Sequence, residues 1–83
     1  MNQAIQFPDR EWWDESVGAV CFPAIVNGFQ LTCAISGETI ARRYGDEQTV
    51  LACFLIHRWD LEDEAETSIK EANEDDQGWV WLS

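Results

Sequence analysis

The chain has 83 residues, 46% hydrophobic and 25% charged, and its sixteen acids against five bases give a net charge of −11. That length predicts a single domain over 1–83 with no room for a second core, and the apolar content is too high for disorder at this charge. A phosphate backbone repels such a surface, which argues against direct nucleic-acid binding, and an anionic membrane is disfavoured for the same reason.

Residues 4–7 (AIQF) predict a short strand closed by the turn signal Pro8-Asp9. Residues 10–16 (REWWDES) read either as more strand or as a loop over the core. The clearest element follows. VGAVCFPAIV-NG-FQLTCAIS is two apolar runs joined by Asn27-Gly28, a pair suited to a type I′ turn because both positions need positive φ. A two-residue loop fixes the register: Val26 opposite Phe29, Ala24 opposite Leu31, Phe22 opposite Cys33 and Val20 opposite Ile35, all on one face. Cys21 and Cys33 then lie on opposite faces, which argues against a bond between them. Pro23 lacks an N–H, and its nitrogen points away from the hairpin partner, so the outer side of that strand is locally an edge or a bulge.

Ser36 suits an N-cap, and GETIARRY over 37–44 predicts a short helix with Ile40, Ala41 and Tyr44 inward and Arg42 and Arg43 outward. Gly45 suits the C′ position, and Asp46 can cap the next helix. That helix is predicted as one long element over about 47–72. Its stripe is Leu51, Phe54, Arg58, Leu61, Ala65, Ile69 and Ala72. Its first half, VLACFLI, is apolar nearly all round and so is expected buried on more than one side. Its second half is acidic off the stripe. NEDDQG ends it, and WVWLS predicts a closing strand. The fold class expected is α+β: a small antiparallel sheet of three to four strands, packed on one short and one long helix.

Three cysteines, Cys21, Cys33 and Cys53, with no metal-type spacing read as reduced thiols in a cytoplasmic protein. The start MNQAIQFPDREWW lacks the pattern of a signal peptide, and no run approaches the roughly 18 apolar residues of a membrane span. No glycine-rich phosphate loop is present, and no cofactor or metal site is expected.

The candidate chemistry centres on FLIHRWDLEDEAE, 54–66. Arg58 falls on the apolar stripe, where a charge is costly unless paired. It is expected to snorkel, or to pair with a carboxylate or exposed carbonyls and so fix the helix on the sheet; the functional alternative is an anion-binding arginine with His57 beside it. A metal site of His57, Asp60 and Glu64 matches no established signature. A Cys53–His57 dyad is spaced to touch, but a buried helical cysteine is ordinarily inert. Trp59 lies off the stripe with Asp63 and Glu66, so these three are the candidate interaction surface. The remaining tryptophans either cover the sheet's second face or form an aromatic contact surface.

IQFPDR with its following tryptophan, AVCFPAIVNG, LTCAISGETI, HRWDLEDEAE and EDDQGWVWLS together resemble the YrdB-like family of proteobacterial proteins, classed as domain of unknown function 1488. The resemblance runs nearly end to end. It implies a compact α+β domain with an N-terminal antiparallel sheet, helices and a closing strand, and it implies no activity, catalytic residue or cofactor. The link YGDEQ is shorter than is usual in that family, a departure confined to the helix junction.

Three functions are consistent with this reading. The first is a non-catalytic accessory or interaction domain whose acidic surface meets a protein bearing a basic patch. The second is a binder of small anions at Arg58, and the third an enzyme whose reaction the sequence does not name. Either a monomer or a dimer fits.

Overall fold

The computed structural model describes residues 5–83. Of the strand expected over 4–7, residue 4 lies outside the described residues, and the strand observed is β1, Ile5–Gln6. It is followed by β2 (Trp12–Asp14), β3 (Ala19–Val26) and β4 (Phe29–Ser36). Helices α1 (Gly37–Tyr44), α2 (Val50–Ile56) and α3 (Arg58–Lys70) come next, and β5 (Trp79–Leu82) closes the chain.

The β3–β4 hairpin has the register set by its turn: Val26 pairs with Phe29, Ala24 with Leu31, Phe22 with Cys33 and Val20 with Ile35. Asn27 and Gly28 have φ of 53° and 84°, as a type I′ turn requires. One face of the hairpin joins Val20, Phe22, Ala24, Cys33 and Ile35 to Ile40 of α1, Cys53 and Phe54 of α2, and Leu61, Ala65 and Ile69 of α3. The other face buries Ala19, Cys21 and Ala34 beneath Trp12 and Trp79. The sheet thus has helices on one side and Trp12 and Trp79 on the other.

Two strands, β1 and β2, share the outer edge of β3. Ile5 pairs with Val26 and Gln6 with Ile25, whereas Trp12 pairs with Cys21, Trp13 with Val20 and Asp14 with Ala19. Residues 7–11 therefore stand opposite residues 22–24, two more on the outer strand than on β3. Pro23 sits in this gap, where no N–H is available for a ladder bond. The edge or bulge expected at Pro23 is a looped-out segment.

β5 lies beside β4 in parallel, with Thr32 opposite Trp79 and Ile35 opposite Leu82. The sheet is antiparallel from β1 to β4, as expected, and the expected closing strand joins it in parallel, which makes it mixed. A parallel neighbour needs a crossover, and the three helices between Ser36 and Trp79 supply it.

In α1, Ser36 caps as expected, its Oγ accepting from the Thr39 N–H at 3.0 Å. Two of its side chains are not where the pattern put them. Ala41 is exposed, and Arg43 turns inward onto α3. The long helix expected over 47–72 is two helices. The first starts at Val50 under the cap Thr49, not at Asp46. It ends at His57, whose φ of −105° and ψ of 15° leave helical geometry. The His57 N–H reaches both Cys53 O at 3.3 Å and Phe54 O at 3.1 Å, tightening the last turn. Neither glycine nor proline marks this break; the contacts at it are tertiary. The His57 ring stacks on Tyr44, with centroids 3.7 Å apart and planes 8° from parallel. The stripe nonetheless keeps its phase, and Phe54, Arg58, Leu61, Ala65 and Ile69 are all buried.

At the end of α3 the Asn73 N–H donates to Ser68 O and the Ala72 N–H to Ile69 O, both at 3.0 Å. This is a Schellman closure, and it puts Ala72 at φ 57°, a conformation that favours glycine. Ala72→Gly is expected to stabilise the protein by about 0.5–1 kcal/mol, since Ala72 is exposed and glycine adopts this φ without strain. Thermal unfolding would show a rise of roughly 4–8 °C per kcal/mol in a domain this small.

The turn into β5 is built on Asp75, whose Oδ1 accepts from the main-chain N–H of Trp79 and of Gln77, each at 2.9 Å. The Trp79 bond, then the Gln77 bond, hold this carboxyl below its ordinary value of 3.8. A carboxylate depressed on folding stabilises above its unfolded value, and that contribution is lost as pH falls through the folded value. Asp75→Asn is therefore expected to lower Tm at pH 7. The gap to the unmodified protein should close as pH drops below about 3.8, which thermal scans over a pH series would read.

Candidate functional site

The single histidine and the residues after it lie where α2 passes into α3, and the geometry divides them into an inner and an outer group. Arg58 is the inner one. Its side chain crosses from the first turn of α3 to the loop opened at Pro23. There Nε donates to Glu62 Oε2 at 2.7 Å, Nη1 to Glu11 Oε1 at 2.6 Å, and Nη2 to Pro8 O at 2.7 Å and Arg10 O at 3.2 Å. The guanidinium also lies over the Phe54 ring, 5.5 Å from its centroid. A guanidinium has five N–H donors, and four bonds are committed to the protein itself. Arg58 is 8% exposed. This is the geometry of an anchor holding the 7–11 loop to α3.

A second arginine does similar work where the sequence pattern pointed it outward. Arg43 meets Glu64 through two bonds of 2.8 and 2.9 Å and also donates to the main-chain oxygen of Ser83. The Glu64 bond, followed by the Tyr44 hydroxyl, raises the Arg43 pKa above its ordinary value. The pair ties the end of α1 to the middle of α3 and the end of β5. Periodicity could not find it, because a short helix with adjacent arginines in its last turn reads as solvated whichever arginine turns in.

With Glu64 held by Arg43, the trio of His57, Asp60 and Glu64 does not assemble. Among the described residues no group of three or more His, Cys, Asp or Glu side chains is placed to hold a metal ion. Cys53 is buried, the His57 ring lies on Tyr44, and no side-chain hydrogen bond joins the two. Cys21 and Cys33 are buried and free, and burial pushes their thiols up to about 11 and about 12. Thiols so raised are protonated near neutrality and are poor nucleophiles.

The outer group is Trp59, Asp63 and Glu66. Trp59 is 84% exposed, Asp63 is exposed, and Glu66 is half-buried with Lys70 at 3.6 Å. Two further residues belong here that the pattern placed in the core. Leu55 is 50% and Ile56 61% exposed, which corrects the expectation that VLACFLI is buried on several sides. The signal was present: both residues lie off the line from Leu51 through Phe54 to Arg58. A helix resting on a single sheet buries one side only. Leu55, Ile56, His57, Arg58, Trp59 and Asp60 border one shallow depression at the helix break.

The tryptophans of the sheet are mostly structural cover, Trp12 and Trp79 on its outer face and Trp13 on its helix side. Trp12 and Trp79 roof the small residues Ala19, Cys21 and Ala34, and Trp79 stacks on Trp81 with centroids 5.7 Å apart. Trp13 packs its ring against Gly37, leaving 3.0 Å to where a Cβ would stand. No helix among the described residues is long and apolar enough to cross a membrane.

Comparison with known proteins agrees with this architecture. Residues 5–82 match the model of a family described as "Protein of unknown function (DUF1488)". The chain is 69% identical to an uncharacterised protein, YrdB, of Escherichia coli (strain K12), with 99% of each chain covered. It is 68% identical, with the same coverage, to the protein so named in Shigella flexneri. A crystal structure of a DUF1488-family protein of unknown function from Shewanella loihica PV-4 superposes with a TM-score of 0.91. The two sequences are 28% identical, with 99% of this chain and 94% of that one covered.

Proposed function

The chain belongs to the DUF1488 family of proteins of unknown function, and on that footing we propose that it is a non-catalytic accessory domain that binds another protein through the outer face of α3. The observation that carries this reading is Trp59, a large apolar ring left 84% exposed one turn before Asp63 and two turns before Glu66. Tryptophan is enriched among the residues that dominate binding energy, and exposing one this fully in a small domain gives no return in folding. The acids beside it fit a partner with a basic patch. Three free, buried cysteines suit a cytoplasmic setting.

The test is capture from native lysate by tagged protein, run beside Trp59→Ala and Asp63→Asn/Glu66→Gln variants. A stoichiometric partner lost from the variants, with Tm nearly unchanged, supports this surface. A partner that stays bound to them overturns it.

A further inference from the structure

Resting on that reading, we infer that the partner element is a basic amphipathic helix, docked across the α2–α3 break on Leu55, Ile56 and Trp59 with its cations on Asp60 and Asp63. The apolar part of the surface is continuous, because Leu55, Ile56 and Trp59 border the same depression. Trp59 and Asp63 lie one turn apart on α3, so an apolar anchor and a carboxylate share one face.

The charges around this patch are unequal in a telling way. Glu62 is held by Arg58, Glu64 by Arg43, and Glu66 lies near Lys70. Asp60, which borders the same depression, and Asp63, one turn after Trp59, make no ion pair among the described residues. Arg58 contributes little cationic field outward, since Glu11 and Glu62 both bond it. The patch is apolar with an unneutralised acidic rim.

This decides between occupants. Two copies of this chain, each at −11, repel one another, and the rim would set acid against acid. An extended strand draws its affinity from a free sheet edge, and this surface is helical, with its main-chain groups engaged along the helices. What it offers is side chains only: an apolar patch little more than one helical turn long with carboxylates beside it. That complements a helix whose apolar stripe is flanked by lysine or arginine.

The probe is a fluorescein-labelled leucine/lysine peptide of about 18 residues patterned at helical spacing, long enough to hold a helix on binding. Its anisotropy is read on titration with the full chain. Saturable binding is expected, weakened about thirty-fold by Ile56→Ala/Trp59→Ala. Asp60→Asn/Asp63→Asn should weaken it several-fold and flatten its salt dependence. Glu74→Gln/Asp76→Asn removes the same charge beyond the far end of α3 and should leave affinity within about twofold. Circular dichroism of the variants confirms that they are folded.

Equal losses from the two neutralised pairs would mean that net charge alone draws the peptide, and would overturn the inference. So would undiminished binding to the Ile56/Trp59 variant, or equal affinity for a proline-interrupted peptide of the same composition. A lysate partner lost on Trp59→Ala, with no affinity for the peptide, would leave the interaction surface standing and overturn the helix as its occupant.

Discussion

Phe54→Ala is expected to cost about 3–5 kcal/mol, the range for truncating a fully buried aromatic. Phe54 has no exposed surface, and its ring lies 5.0 Å from that of Phe22 at the centre of the core. It is the main α2 side chain in that core, and the Arg58 guanidinium also lies over its ring. Its loss would leave a cavity bounded by the β3–β4 sheet and α3. Small domains hold roughly 5–10 kcal/mol in reserve, so the variant should sit near its unfolding midpoint at growth temperature. Urea denaturation checks this through a lowered midpoint at unchanged slope. Phe54→Leu, which retains most of the volume, should lose much less. If the two variants are equally damaged, packing at this site is not the cause.

Arg58→Met is expected to cost about 2–4 kcal/mol, the range for breaking a buried pair discounted for its partly exposed partners. Methionine keeps most of the apolar stem and the contact with Phe54, so the loss isolates the guanidinium. What remains is Glu11 and Glu62 without their cation, and the Pro8 and Arg10 carbonyls without two donors. Neutralising the stranded acids as well, in Arg58→Met/Glu11→Gln/Glu62→Gln, should recover part of the loss, because much of it is the burden of unpaired charge. Hydrogen exchange should quicken in residues 7–11 before it does in β3. Since Arg58 and Phe54 touch, the double variant should fall short of additivity.

These two residues also show what the sequence carried. Phe54 and Arg58 fall on one helical stripe, and that stripe is buried as its spacing predicts. A charge on such a stripe must be paired, so the sequence announced that Arg58 had partners. It could not say which, since Pro8, Arg10 and Glu11 lie 47 to 50 positions away along the chain. Trp59 could be read as off the stripe for the same reason that Phe54 could be read as on it.

By itself, then, the sequence determined what is local. Asn27-Gly28 set a turn of positive φ and with it the whole β3–β4 register. Ser36 and Gly45 set the ends of α1, Pro23 set the gap in the outer strand, and helical spacing set the buried side of α2 and α3. Each follows from backbone sterics or from periodicity within a few residues. Tertiary structure alone decided the rest. It broke the helix at His57, where the ring meets Tyr44, and turned Arg43 in to Glu64. It laid β5 parallel to β4, and it left Leu55 and Ile56 in solvent beside Trp59. Those outcomes depend on which distant group occupies the space opposite. A single-layer sheet has one helix-bearing face, so apolar residues beyond what that face can cover are turned outward.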